Sequence, residues 1–147
     1  MSTPAPNTTE TANKPPMTVH LDWQQDLVFA GRVGDVSMTL DGSSKAAPAP
    51  MHAVAFGLAG CMATDVAHIR GRGRHPFTAI AARLDAHRSN GQPARFTRMD
   101  LHYTVTGDVP PDAVARAIEL SREKYCSVCH SLRQDIALNT SFEVDTA

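Results

Sequence analysis

The chain has 147 residues, with 14 basic against 15 acidic side chains and a formal net charge of -1. That balance excludes the basic excess of a nucleic-acid-binding surface, and 42% apolar against 20% charged residues excludes a disordered chain. Three cysteines do not pair into a secreted disulfide framework, so a reducing compartment is expected.

Residues 1–16 read MSTPAPNTTETANKPP and have no apolar core of signal-peptide length. The segment is expected to be a mobile tail ahead of a single domain over 17–147, in a cytoplasmic protein without membrane spans. Met17, Val19, Leu21 and Trp23 alternate with polar residues, the period of a half-buried strand. A turn at Gln24–Asp26, a second apolar stretch through Leu27 and Phe29, and alternation at Val36, Met38 and Leu40 predict a three-stranded antiparallel meander.

The character changes at Pro50. Ala53 to Ala63 carries no charge, and the apolar pattern continues to Ile69 before Gly71 and Gly73. Apolar residues all round predict a helix buried on most sides, with Gly57 and Gly60 admitting another backbone. One short sheet cannot cover such a helix, so a dimer is expected to complete its surroundings.

Ile80, Ala82, Leu84 and Ala86 share one strand phase, and Ser89–Pro93 is a turn. Met99, Leu101, Tyr103 and Val105 give the clearest alternation in the chain. Helical spacing predicts a second helix over Pro111–Lys124 and a short helical turn over Ser127–Arg133. Ile136, Leu138, Thr140, Phe142 and Val144 form the last strand. The order βββ-α-ββ-α-β indicates an α+β protein.

The cysteines carry the chemistry. Cys61 lies mid-helix, where a buried thiol is ordinarily inert packing, whereas Cys126 follows a helix end where its thiol could be partly accessible. Two distant thiols brought together could instead act as a pair, one attacking an oxidant and the other resolving the sulfenic acid. Spacing alone does not choose. Cys126-Ser127-Val128-Cys129-His130 also matches the c-type haem attachment motif, but that reading requires export and an axial ligand. A zinc site at Cys126 and Cys129 lacks a second pair at finger-like spacing, and a thioredoxin-like C-x-x-C normally follows an early strand.

Taken together, Pro50-Met51-His52-Ala53-Val54 with Leu58-Ala59-Gly60-Cys61-Met62-Ala63-Thr64-Asp65-Val66 resembles the central helix of the OsmC/Ohr family. Ala117 to Val128, AIELSREKYCSV, resembles its second hallmark. The resemblance spans about Thr18 to Val144 and implies an OsmC-like fold, antiparallel strands wrapped around two central helices in an intertwined homodimer. It implies a thiol peroxidase without metal or organic cofactor, acting on organic hydroperoxides or hydrogen peroxide and recharged by an external dithiol. By position, Cys61 is the peroxidatic thiol and Cys126 the resolving one.

The family's assisting arginine and glutamate are less well matched. Arg32 is the sole arginine before Arg70, and a solvated hairpin residue is its alternative reading. At the glutamate position stand Met51 and His52, so His52 must take that role or leave it unfilled. Asp65, one turn past Cys61, opposes thiolate formation there, and Cys129 is an extra thiol able to compete for a sulfenic acid. A non-enzymatic protein of this fold, binding a small ligand or carrying sulfur in the dimer pocket, is the rival expectation.

Overall fold

The computed structural model describes residues 13–68 and 76–146, in two compact units that divide between Ala49 and Pro50. The predicted ends of the first helix at Gly71 and Gly73, and most of the predicted tail, lie outside the described residues.

The first unit is the expected meander. Strands β1 (His20–Gln25), β2 (Val28–Val33) and β3 (Val36–Asp41) pair antiparallel in sequence order. The strand begins at His20, three residues later than the alternation from Met17 suggests. Leu21, Trp23, Phe29, Val33, Val36, Met38 and Leu40 share one face by register. Gly31 sits in the middle of that face, where a Cβ would meet the Met38 carbonyl oxygen at 2.7 Å. The face is open to solvent within this chain: Trp23 is 64% exposed and Met38 57%. Beyond β3 the Asp41 carboxylate, buried, gathers the Gly- and Ser-rich loop. It accepts from the Ala46, Ser43 and Lys45 backbone N–H groups and from the Ser43 hydroxyl, at 2.7–3.1 Å. These bonds, the Ala46 N–H foremost, hold its pKa down to about 2.

The second unit opens with helix α1 (Pro50–Ala67), started by Pro50 as the sequence suggests. Strands β4 (Phe77–Arg88) and β5 (Phe96–Gly107) form a long antiparallel hairpin. On β5, Met99, Leu101, Tyr103 and Val105 face the core while His102 and Thr104 face outward, as the alternation requires. Helix α2 (Pro111–Leu120) buries Val114 and Ile118 in that core, and β6 (Ala137–Asp145) completes the sheet in the order β4-β5-β6.

Three details differ from the expectation. β6 runs parallel to β5, not antiparallel, because the segment between them is a helical crossover and not a hairpin. The second helix is α-helical only to Leu120; Ser121–Tyr125 is a π turn, closed by Cys126 N–H donating to the Ser121 carbonyl at 2.7 Å. A five-residue helix, α3 (Ser127–Ser131), follows it. Finally, α1 is not buried on most sides within this chain. Its inner stripe is Leu58, Met62 and Val66, while His52, Phe56, Gly60 and Thr64 form an exposed stripe with Phe56 68% exposed. Among the described residues, nothing beyond the helix's own neighbouring backbone lies within 4 Å of a Cβ built on Gly57 or Gly60, so these residues do not make the close approach expected at the glycines.

Candidate thiol site

Cys61 stands on α1, one residue before the core residue Met62. Cys126 follows the π turn, whose wider winding ends the α2 register and leaves Cys126 extended at φ -75 and ψ 98. The Cys61 side chain is close enough to Cys126 to raise its pKa, although some 65 residues separate the two in sequence. The structure therefore brings this pair together within one chain.

Their burial reverses the sequence reading. Cys126 is fully buried, at 0% exposure, whereas Cys61 in the middle of its helix is half-buried. Helix ends are exposed by default, but here the π turn and α3 fold the segment back against α1. Burial pushes the Cys126 thiol up to about 12, and the neighbouring thiols of Cys61 and Cys129 act in the same direction. The Cys129 backbone N–H, donating to Cys126 Sγ at 3.2 Å, opposes them. Cys126 is thus held as a protonated thiol at neutral pH.

Two residues to which the sequence assigned no role at the thiols belong to this neighbourhood. Tyr103, fully buried on β5, donates its hydroxyl to the Ala59 carbonyl at 3.0 Å, and its pKa is raised by burial and by the thiols of Cys126 and Cys61. Ser121, the first residue of the π turn, donates to Asp65 Oδ2 at 2.6 Å and ties that turn to α1. The phenol of Tyr103 on an inward strand position was the available signal, since buried hydroxyls need partners. Ser121 carried no comparable sign.

His52 is exposed in the first turn of α1. Nine residues of helix separate it from Cys61, ~13.5 Å along the axis and half a turn around it. One chain does not bring them together. Arg32 lies on β2 in the first unit, exposed, with His20 and Ser37 as its cross-strand neighbours.

Cys129, half-buried, lines a cleft of about 130 Å³ with Leu58, Met99, Arg122, Arg133 and Ile136 among its walls. Among the described residues no cluster of three or more His, Cys, Asp and Glu is placed to hold a metal ion. No described helix is long and apolar enough to cross a membrane.

An α+β chain with paired thiols between a central helix and the end of the next one matches a known pattern. The OsmC-like protein family model matches residues 41–141, and the chain belongs to that family. It is 37% identical over 134 residues to Protein YhfA of Escherichia coli strain K12, covering 89% of this chain and 100% of that protein. A hypothetical protein from Aquifex aeolicus VF5 superposes with a TM-score of 0.84 at 25% identity, covering 91% of this chain and 99% of that one. An organic hydroperoxide resistance protein from Legionella pneumophila shares the fold at a TM-score of 0.66, with 14% identity over 90% of this chain and 99% of that one.

Proposed function

We propose that the protein is a homodimeric thiol peroxidase that reduces organic hydroperoxides, and hydrogen peroxide less readily, in a reducing compartment. The observation that carries this reading is the proximity of Cys61 to the buried Cys126. The hydroperoxide-resistance name of the Legionella relative agrees with it.

In this mechanism the Cys61 thiolate attacks the terminal peroxide oxygen, and the O–O bond breaks. The alkoxide leaves and takes up a proton as the alcohol, and Cys61 becomes a sulfenic acid. Cys126 then attacks that sulfur, water leaves, and a Cys61–Cys126 disulfide remains. An external dithiol returns both thiols to the reduced state. On the family pattern Arg32 supplies the cation that favours the thiolate and holds the peroxide oxygen. His52 replaces the usual glutamate in orienting it; because half a turn of α1 separates it from Cys61, it serves the site of the second copy. No metal or organic cofactor takes part. The uncovered apolar stripe at Phe56 and Gly60, and the open face of the β1-β2-β3 sheet, are what the second copy covers.

The test is consumption of cumene hydroperoxide by the purified protein with dithiothreitol. Wild type is expected to turn over and Cys61→Ser to fall to the uncatalysed rate. Cys126→Ser is expected to complete one oxidation and stop as a sulfenic acid or a disulfide with Cys129. The missing carboxylate at Met51 and His52 favours a second reading, a non-enzymatic protein that binds a small ligand or carries sulfur. Wild type that leaves Cys61 reduced after stoichiometric peroxide establishes that reading instead.

A further inference from the structure

Three observations converge on Cys129. Cys126 has no exposed surface, so an external dithiol cannot reach its sulfur. Cys126 occupies the N-cap of α3 with Cys129 three residues on, and the Cys129 N–H already points at Cys126 Sγ at 3.2 Å. Cys129 itself lines the cleft between Arg122, Arg133 and the apolar wall of Leu58, Met99 and Ile136. The third thiol therefore stands between a sealed sulfur and an open cleft.

We propose that Cys129 is a relay thiol, which moves the disulfide from the Cys61–Cys126 pair to Cys126–Cys129, where the reductant attacks it. This inference rests on the peroxidase reading for the origin of the first disulfide. In the transfer, the Cys129 thiolate attacks Cys126 Sγ in line with the S–S bond. A Cys126–Cys129 bond forms, the Cys61–Cys126 bond breaks, and Cys61 leaves as the thiolate. The Cys129 proton passes to solvent, and no net oxidation occurs. The external dithiol then attacks Cys129 from the cleft, displaces Cys126, and closes its own disulfide.

The geometry suits this exchange. Cys126 Sγ already lies 3.2 Å from the Cys129 backbone N, and a disulfide would require the two Cβ atoms to stand ~3.8 Å apart. The segment that must give is α3, a short helix preceded by the π turn. The product also returns Cys61 to the thiolate that the next peroxide requires, before the reductant has acted.

Trypsin makes the transfer directly visible. Cleavage after Lys124 and Arg133 puts Cys126 and Cys129 in one peptide, whereas Cys61 falls in the peptide Ala46–Arg70. The full chain is oxidised with one equivalent of cumene hydroperoxide, quenched with N-ethylmaleimide at intervals, digested and mapped by mass spectrometry. The expected course is an early cross-link between the two peptides. It decays into a Tyr125–Arg133 peptide lighter by two hydrogens, with Cys61 alkylated. In Cys129→Ser and Cys129→Ala the cross-link is expected to persist, and its reduction by dithiothreitol to slow at least tenfold. A wild-type cross-link that persists without the internal disulfide overturns the relay and leaves the peroxidase standing. Parallel oxidation with diamide forms the disulfide without any peroxide step. Protein inert to hydroperoxide that still transfers its diamide-made disulfide overturns the peroxidase reading and supports the transfer. A diamide-made cross-link that never moves overturns the transfer itself.

Discussion

At the scale of single residues, the site is a contrast between two sulfurs in one contact. Cys126 is sealed and protonated, while Cys61 retains exposed surface on α1. The folded protein holds the Cys126 proton more tightly than the unfolded chain does, with a pKa near 12 against an ordinary 9.0. The resulting stability is therefore complete below pH ~9. Above that the unfolded chain loses the proton first, and native stability falls as pH rises toward 12. The slope from this one group is at most ~1.4 kcal/mol per pH unit. Urea unfolding of wild type and Cys126→Ser between pH 7 and 10.5 is expected to give parallel stabilities below pH 9 and a steeper decline for wild type above it. Serine keeps an acceptor for the Cys129 N–H and does not titrate in this range, so identical slopes would show that Cys126 ionises as freely as in the unfolded chain.

At the scale of elements, the contact depends on how the π turn is fastened to α1. Ser121, fully buried, donates to the Asp65 carboxylate across the two segments. Ser121→Ala removes the donor and leaves a charged acceptor partly buried, at a cost of ~1–3 kcal/mol. Chemical unfolding measures that loss, and the rate of diamide-induced Cys61–Cys126 cross-linking is expected to fall with it. A variant as stable as wild type that cross-links at the same rate would mean the turn is held elsewhere. The sequence pattern made the elements legible and left their connections obscure. Period-two spacing on β5 identified its buried face, and Pro50 with its charge-free run identified α1, because both signals are local. Strand direction is not local: Leu138, Phe142 and Val144 alternate identically whether β6 runs with β5 or against it. The π turn is likewise invisible in SREKY, since a single extra residue in the winding leaves no trace in composition. The family resemblance paired Cys61 with Cys126, yet which sulfur lies deeper depended on α3 folding back, which no spacing encodes.

At the scale of the whole molecule, the outstanding apolar surface is what the proposed second copy would cover. Phe56 on α1 and the Leu21, Trp23 and Met38 face of the first sheet are exposed apolar surface of the kind that marks an interface. Light scattering at micromolar concentration is expected to give a dimer for wild type, and Phe56→Arg is expected to shift it to monomer or to aggregate. A stable, folded wild-type monomer would remove the dimer from the proposed function. The parallel pairing of β6 has a consequence of another kind. Cys126 lies in a crossover whose two ends are fixed only when β5 and β6 are hydrogen-bonded, and such long-range parallel pairing forms late. The native approach of Cys126 to Cys61 therefore depends on contacts far apart in sequence. On the proposed reading, the Cys61–Cys126 disulfide is then a certificate that this crossover has been completed.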